Sequence, residues 1–476
     1  MTGIIPPLDL MWFVLETQDG PTHVGALLLF EKPAGRPRVV QEIVDACRKF
    51  TPTPPFNLIP ELGAGVPRFR EATAFDPYYH VQHLVLPPGA SDDDLLRLVA
   101  DLHEPTLDRA RPLFRDWFID GVPGNRFALY TKAHHAIVDG ISGMQRLRAS
   151  LRTTPRRGVE PPAFAARQVH HKPSPPVPLV DRLADFGHTA ARQSLALRDV
   201  ALAAARKNLS TLLGARPAGS RPFTAHRGPM NAPVLRARSL ATLSLPLDEM
   251  HALAKRRGAT LNDLAVTIVD EGLHRYLRAT GHEFPHRLVA FCPVSLRDAE
   301  DHGAGTKVSV MFVHLGEPSA GVADRLAQVR TALNEAKQEL RAMSRDAAMT
   351  YAVAVLGIAE LASAAHVDAV APPAANLVIS NVPGGRDPMY LNGARLAGIY
   401  PISAIAMSVG LNVTLTSYHR NMDFGFVASS AGLPDLPQLA RHVGEAYREL
   451  EAAGPERRTV KKRAGPARRG DRPASR

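Results

Sequence analysis

A chain of 476 residues is too long for one ordinary hydrophobic core, so we expect two domains. Its 45% apolar and 22% charged residues are typical of a soluble globular protein. The net charge is +11, and two cysteines are too few for a disulfide scaffold or a cysteine metal cluster. The sequence has no apolar run of about 18 residues, which excludes a membrane-spanning helix. It also has no secretory signal, so we predict a cytoplasmic protein.

The N-terminal part of the chain alternates predicted strands and helices. Residues 7–30 begin with a short apolar segment and continue as a buried strand over residues 23–30. Amphipathic helices are predicted over residues 39–50 and 92–102, and the second has acidic residues in its first turn. His23 is interpreted as structural rather than catalytic.

Residues 127–140, which read F-A-L-Y-T-K-A-H-H-A-I-V-D-G, hold the clearest functional signal. Residues 127–133 alternate as a strand does. If the strand continues, His134 and His135 fall on opposite faces of it, so the two histidines cannot share one role.

A turn and a helix follow the paired histidines. Asp139 and Gly140 are predicted to form a tight turn. Ser142 and Gln145 fit a capping box, which predicts a helix that ends near residue 151. A strand that ends in histidine and leads into a turn is a suitable place for chemistry.

The middle of the chain is predicted to separate two halves. Residues 153–178 are rich in proline and arginine and are predicted to be a linker, in which His170-His171 is interpreted as a solvated pair. Residues 179–213 are predicted to form a basic amphipathic helix that packs on a neighbouring domain or lies on a membrane surface. The predicted division is an N-terminal half, a linker with its helix, a C-terminal half and a tail, at residues 1–152, 153–220, 221–454 and 455–476.

Strands and helices also interleave in the second half, which predicts an α/β fold for the whole chain. Asn262 lies in the sequence Thr260-Leu261-Asn262-Asp263, which caps a predicted helix through residue 277. The predicted strands lie at residues 241–245, 287–294, 308–315, 376–380, 407–416 and 423–427. The other predicted helices lie at residues 247–257, 324–342 and 434–453.

Residues 455–476 carry nine basic and two acidic side chains, a net charge of +7 that leaves +4 for the rest of the chain. The composition of this tail predicts disorder. Such a tail serves solubility or binds an anionic lipid surface. The body of the chain shows no nucleic-acid module, so nucleic acid is not an expected partner.

Four motifs occur in the order in which the bacterial wax ester synthase/diacylglycerol acyltransferase family shows them, so the chain resembles that family. They are H-H-A-I-V-D-G at residues 134–140, Asn262-Asp263, Pro293-Val294-Ser295-Leu296-Arg297 and Asn381-Val382-Pro383-Gly384. Pro112-Leu113-Phe114 resembles the family's Pro-Leu-Trp, with phenylalanine in place of tryptophan, and is a candidate substrate pocket. The first motif also resembles condensation domains of peptide synthetases, which are expected beside carrier and adenylation domains.

The resemblance implies two similar chloramphenicol-acetyltransferase-like halves, with mixed sheets flanked by helices and a tunnel at their interface. It implies transfer of a fatty acyl group from acyl-CoA to diacylglycerol or to a long-chain fatty alcohol. Acyl-CoA is then a co-substrate, and no metal or other cofactor is expected. The protein is expected to associate peripherally with a membrane or lipid-droplet surface. The alternatives are a condensation-type acyltransferase that uses a carrier protein, and a non-catalytic lipid-surface protein.

The resemblance also implies roles for single residues. His135 is the expected general base, since the free pKa of histidine lies near working pH, and His134 is an orienting residue or the competing base. Asp139 is expected to be structural, paired with Arg297, or else a simple turn residue. Asn262 is a candidate donor to the oxyanion or else a helix cap. Gly140 is expected to allow a backbone that a side chain would forbid. The chain has no G-x-S-x-G elbow, which agrees with direct transfer without an acyl-enzyme.

Overall fold

A computed structural model of the chain describes residues 3–63, 65–166, 222–296, 308–364, 371–405 and 409–453. Part of what the sequence predicts lies outside these ranges. This holds for most of the 153–220 linker segment, including His170-His171 and the helix at residues 179–213, and for Arg297 and the basic tail at residues 455–476.

The N-terminal part confirms the predicted strand at residues 23–30 and the helices at residues 39–50 and 92–102. Its helices are α1 (Pro7–Leu15), α2 (Val39–Cys47), α3 (Pro77–His80), α4 (Asp92–His103) and α5 (Gly140–Ala149). Its strands are β1 (Gly3–Ile4), β2 (His23–Glu31), β3 (Leu58–Glu61), β4 (Arg68–Glu71), β5 (Val81–Val85), β6 (Phe114–Val122) and β7 (Arg126–His134). Of these strands, the sequence predicted only β2 and β7.

The C-terminal part also alternates strands and helices. Its helices are α6 (Leu247–Arg256), α7 (Leu261–Ala279), α8 (Val322–Arg341), α9 (Arg345–Ala364) and α10 (Leu436–Ala452). Its strands are β8 (Arg238–Pro246), β9 (Val289–Ser295), β10 (Val308–His314), β11 (Leu377–Gly385), β12 (Tyr390–Leu391), β13 (Ala394–Ile402), β14 (Leu411–Tyr418) and β15 (Asn421–Ser429). None of the helices in the described ranges is long and apolar enough to cross a bilayer.

The described residues form two six-stranded sheets and a small three-stranded sheet, β1-β4-β3. The first large sheet has the order β12-β13-β2-β7-β6-β5, with β5 and β6 parallel and the other pairs antiparallel. The second has the order β10-β9-β11-β14-β15-β8, with β11 parallel to both its neighbours. Both sheets are mixed, which confirms the predicted fold class.

One segment crosses the predicted division between the halves. Residues 390–402 belong to the C-terminal half by sequence, but β12 and β13 complete the sheet of the N-terminal half. Strand β13 pairs with β2 from Arg395 opposite Glu31 to Ile402 opposite Gly25. The crossover follows from backbone pairing between distant segments, which local hydrophobic patterns do not specify.

Strand β13 also lies close to the second sheet, so the two sheets meet there. A Cβ atom on Gly425 of β15 would lie 1.8 Å from the carbonyl oxygen of Pro401, so only glycine fits at this crossing. The Asp423 carboxylate of β15 accepts the backbone N–H of Ile399, at 2.9 Å, and the hydroxyl proton of Ser244, at 2.6 Å. Burial raises the pKa of Asp423 to about 6, although both hydrogen bonds oppose that shift.

The second sheet separates a hydrophobic core from a cavity. Its strand β14 alternates, so Leu411, Val413 and Leu415 enter the core that α7 and α10 cover. Asn412, Thr414 and Thr416 point the other way, toward the cavity between the two sheets. The predicted strand at residues 407–416 therefore exists with shifted bounds, and its apolar face is the covered one.

Candidate active site

A cavity of about 310 Å³ lies between the two sheets and is lined by residues of both. His135, Asp139 and Gly140 reach it from the motif at residues 134–140. Most of its wall is apolar, with side chains that include Val24, Ala133, Val138, Phe291, Val310 and Val378. A cavity with such a lining is suited to an apolar ligand.

Strand β7 ends at His134, and the chain turns there. The N–H of His135 donates to the carbonyl of Thr22, at 3.1 Å, and the N–H of Ile137 donates to the carbonyl of His134, at 3.0 Å. The prediction that the two histidines fall on opposite faces of the strand assumed that the strand continues through His135. The strand does not continue through His135, so the turn rather than the pleat directs this side chain into the cavity.

The His135 ring forms part of the cavity wall and stacks on Trp12 of α1. The ring centroids are 4.1 Å apart and the planes make an angle of 15°. Nδ1 of His135 is buried, and no other described residue offers it a hydrogen bond. Burial lowers the pKa of His135 from its ordinary value of 6.5, although its own backbone carbonyl and Asp139 oppose the shift. The ring is therefore neutral, and ready to accept a proton, at neutral pH.

The His134 ring is fully buried, and the protein uses both of its nitrogens. The Ala136 N–H donates to Nδ1 at 3.2 Å. Thr22 donates its hydroxyl proton to the carbonyl of Trp12 at 2.9 Å, so this hydroxyl accepts from Nε2 of His134, at 3.2 Å. Oε1 of Glu16 lies 3.5 Å from the same nitrogen. These partners fix the orientation of the ring.

Glu16 and Arg109 complete the surroundings of His134. Nη2 and Nε of Arg109 donate to Oε2 of Glu16 at 3.0 and 3.2 Å, and Nη2 also donates to the carbonyl of Phe13, at 2.8 Å. The Phe13 ring stacks on His134 with centroids 4.3 Å apart. Burial acts to raise the pKa of Glu16, but hydrogen bonds from His134 and Arg109 and the charge of Arg109 outweigh it, so the pKa is lowered. Glu16 is therefore a carboxylate beside His134.

Asp139 caps helix α5, which corrects the predicted capping box at Ser142 and Gln145. The Ser142 N–H donates to Oδ1 of Asp139 at 2.7 Å, and the Asp139 N–H donates to the Ser142 hydroxyl at 3.1 Å. The helix therefore begins at Gly140, directly after the motif aspartate. Arg297, its predicted partner, lies outside the described residues.

The φ angle of Gly140 is not in the left-handed region, so its backbone conformation does not require glycine. The close approach of Val382 does. A Cβ atom at this position would lie 2.9 Å from Cγ2 of Val382 in β11. The motif of the N-terminal half therefore touches the Asn381-Val382-Pro383-Gly384 motif of the C-terminal half, and Asn381 and Val382 both line the cavity.

Asn262, the predicted oxyanion donor, is not among the described residues that line the cavity. It lies in the first turn of α7, and that helix packs on the core face of the second sheet with Cys292 and Met311. The cavity wall contains Phe291 and Val310, which point to the other face of the same strands. Asn262 does not cap α7 either, because Thr260 does so together with Asp263.

Pro112, Leu113 and Phe114 are buried behind the site rather than in the described cavity wall. The carbonyl of Leu113 accepts the backbone N–H of His134 at 3.0 Å. The Phe114 ring packs edge-on against Phe56, with centroids 5.4 Å apart, and Phe56 lines the cavity. This segment therefore supports the histidine turn and shapes the cavity through Phe56.

Sequence reasoning missed several residues of the site. Glu16, Thr22 and Arg109 belong to no motif that carries chemistry. Thr22 and Glu16 contact His134 only in the folded chain, and Arg109 contacts Glu16. Trp12 lies in an apolar segment that reads as core. An ion pair between residues far apart in sequence, such as Glu16 and Arg109, gives no local signal.

The chain resembles known proteins over most of its length. Residues 5–265 match the family described as the wax ester synthase/diacylglycerol acyltransferase catalytic domain, and residues 304–451 match the WS/DGAT C-terminal domain. A Mycobacterium tuberculosis protein named as a putative diacylglycerol O-acyltransferase is 32% identical over 457 residues, which cover 94% of this chain and 99% of that protein. The O-acyltransferase WSD of Acinetobacter baylyi is 30% identical, over 96% of this chain and 98% of its own length.

Solved structures show the same fold. The wax ester synthase/diacylglycerol acyltransferase from Marinobacter aquaeolei VT8 has a TM-score of 0.72 and 28% sequence identity, and covers 94% of this chain and 99% of its own. The first condensation domain of the calcium-dependent antibiotic synthetase has a TM-score of 0.57 at 18% identity, over 95% of this chain and 96% of its own. That second likeness concerns the fold alone.

Proposed function

Because the chain belongs to the wax ester synthase/diacylglycerol acyltransferase family and is an O-acyltransferase, we propose that it transfers a fatty acyl group from acyl-CoA to diacylglycerol or a long-chain alcohol. His135 is the general base of this reaction. The observation that carries the proposal is the His135 imidazole in the wall of an apolar cavity between the two sheets. The relatives' names supply the substrate classes, and the cavity suits apolar substrates.

The base solves the main chemical problem of the reaction. An alcohol is a poor nucleophile because its pKa lies far above 7. The neutral His135 ring takes the hydroxyl proton while the oxygen bonds to the thioester carbon. The C–S bond then breaks, and the imidazolium returns the proton to the departing CoA thiolate. The lowered pKa of His135 keeps the ring in the required neutral form.

The neighbours of His135 position it. His134, held by Thr22 and Glu16, occupies the end of strand β7 directly before the base. Asp139 caps the helix that follows. Trp12 covers one face of the His135 ring, which limits its rotation. The acceptor hydroxyl therefore meets an imidazole of fixed orientation, which favours reaction.

The test is incubation of the purified protein with palmitoyl-CoA and either hexadecanol or diacylglycerol, with lipid products resolved by chromatography. We expect hexadecyl palmitate or triacylglycerol to form without any carrier protein. A need for an acyl-carrier protein would indicate the condensation-type alternative. Absence of transfer to every alcohol, with the protein folded, would indicate a non-catalytic lipid-surface protein.

We further propose that the cavity opens as a tunnel between the halves and that the protein acts at a membrane or lipid-droplet surface in the cytoplasm. Water-insoluble acceptors and the +7 charge of residues 455–476 support this location. Deletion of residues 455–476 should weaken binding to anionic liposomes and leave turnover of dispersed substrate unchanged. Liposome binding equal to that of the full chain would contradict a role for the tail.

A further inference from the structure

Strand β14 contributes a row of polar side chains to the otherwise mainly apolar cavity. Asn412, Thr414 and Thr416 alternate along the strand and all line the cavity. All three are buried, with 5%, 2% and 0% of their surface exposed. The sequence, which reads L-N-V-T-L-T, shows the alternation but not which face is covered.

Two members of the row have hydrogen-bond partners within the protein. The Thr414 hydroxyl donates to Oδ1 of Asn412 at 2.8 Å and lies 2.9 Å from the hydroxyl of Ser403. Nδ2 of Asn412 donates to the carbonyl of Ala404 at 2.9 Å. These contacts make the inner part of the row a connected network.

Thr416 differs from its neighbours in the row. Its hydroxyl is buried and has no hydrogen-bond partner among the residues that the structure describes. A buried polar group without a partner costs free energy, so an unpaired hydroxyl in a substrate cavity indicates that the substrate supplies the partner. The side chain also packs closely, because a Cβ atom on Gly384 would lie 2.8 Å from Cγ2 of Thr416.

Thr416 lies beside the proposed reaction centre. In the parallel pairing of β11 and β14 it is the partner of Val382, and both side chains line the cavity. Val382 in turn touches Gly140 of the histidine motif. Paired strands are about 4.8 Å apart, so the Thr416 hydroxyl is one strand away from the point where the two motifs meet.

We propose that the Thr416 hydroxyl donates a hydrogen bond to a substrate carbonyl oxygen, namely that of the thioester under attack. This inference rests on the proposed function, because it assigns the group that binds the oxyanion in that reaction. The carbonyl oxygen gains negative charge as the alcohol oxygen bonds to carbon, and a fixed donor in an apolar cavity stabilises that charge. Thr416 then takes the role that the sequence predicted for Asn262, which lies on the opposite face of the sheet.

The Thr416→Val variant removes the hydroxyl and retains the shape of the side chain. We expect its kcat to fall by about 10²-fold with palmitoyl-CoA and either hexadecanol or diacylglycerol. Thr416→Ser retains the donor and should recover most of the lost rate. Thr267→Val is the matched control, because the Thr267 hydroxyl is equally buried but donates to the carbonyl of Asp263 within α7. Its kcat should equal that of the wild-type protein.

A comparison of hexadecanol with diacylglycerol as the acceptor shows which carbonyl oxygen accepts the hydrogen bond from Thr416. A loss confined to diacylglycerol would assign the hydrogen bond to an ester carbonyl of that acceptor, whereas an equal loss assigns it to the thioester. Wild-type kcat and KM for Thr416→Val with both acceptors would overturn the proposal, as would a folded Thr416→Ser variant as slow as Thr416→Val.

A binding measurement separates this inference from the proposed function. Calorimetric titration with palmitoyl-CoA alone needs no turnover, and we expect Thr416→Val to bind several-fold more weakly than the wild-type protein. Wild-type protein that binds palmitoyl-CoA but acylates no alcohol would contradict the proposed function. Equal affinity of both proteins, together with equal rates, would contradict only the role of Thr416.

Discussion

His134 and His135, at the end of strand β7, differ in the groups that surround their rings. On one side, His134 is enclosed by polar groups, with Thr22 and Glu16 at Nε2 and the Ala136 N–H at Nδ1. On the other side, His135 lines a mainly apolar cavity, and its ring stacks on that of Trp12. Adjacent residues of the same type thus occupy opposite chemical environments.

This difference assigns the two histidines to different tasks. A ring whose nitrogens are both engaged holds its position but has no nitrogen free for a substrate proton. The His135 ring, which has few hydrogen-bond partners, can accept a substrate proton. Burial lowers its pKa and so keeps it neutral. The difference supports our proposal that His134 holds the strand end in place and that His135 acts as the base.

The largest expected effect comes from His135→Gln, which removes the base and retains a polar side chain. We expect kcat for acyl transfer to fall by about 10²–10⁴-fold, the usual contribution of a positioned base. The measurement is CoA release from palmitoyl-CoA with hexadecanol, alongside a melting curve that shows the variant is folded. A folded variant of wild-type activity would contradict the assignment.

A smaller effect is expected from Glu16→Ala on the polar side. The change removes a carboxylate that contacts both Arg109 and His134, so the ring loses part of its support. We expect kcat to fall about tenfold, equivalent to about 1.4 kcal/mol in the barrier. The matched control is Glu31→Ala on β2, since Glu31 pairs with Arg395 at the surface and such exposed pairs contribute little. Equal rates for the two variants would show that Glu16 does not position the histidine.

Asp139→Ala should affect stability more than rate. The change removes the capping box of α5, which lowers the free energy of unfolding by about 1 kcal/mol. Ser91→Ala is a suitable control, because it removes the equivalent capping box of α4. Thermal or denaturant unfolding of both variants measures the effect. A well-folded but inactive Asp139→Ala variant would point to direct participation in catalysis.

The smallest effect is expected from Asn262→Ala. The residue lies in the first turn of α7 on the core side of the second sheet, and it neither caps that helix nor lines the described cavity wall. We expect kcat and KM within about twofold of the wild-type values, as for a surface change with a free-energy effect of about 0.5 kcal/mol or less. A tenfold loss of kcat would restore the role in oxyanion binding that the sequence predicts.

Local patterns predicted much of the fold, but not the way distant segments combine. The strand at residues 23–30 and the helices at residues 39–50 and 92–102 follow directly from periodicity and capping. Strand β13 pairs with β2, although more than half of the sequence separates the two strands. No local sequence pattern predicts such a pairing.

The candidate site shows the same limit. The sequence predicted that four residues lie close together, because they belong to one short motif: His134, His135, Asp139 and Gly140. The Asn262-Asp263 motif predicted that Asn262 belongs to the site. The second sheet, however, lies between helix α7 and the cavity. The buried hydroxyl of Thr416 was missed, because alternation along a strand does not tell which face meets the substrate.

The most direct test of the central claim is the pH dependence of kcat/KM for the wild-type protein and His135→Gln. A base must be neutral to act, so activity is present above its pKa and is lost as pH falls through that pKa. For the wild-type protein we predict an acid limb with an apparent pKa below 6.5, the ordinary value for histidine, and we predict that the residual rate of His135→Gln lacks this limb. An acid limb that persists unchanged in the folded variant would contradict His135 as the base.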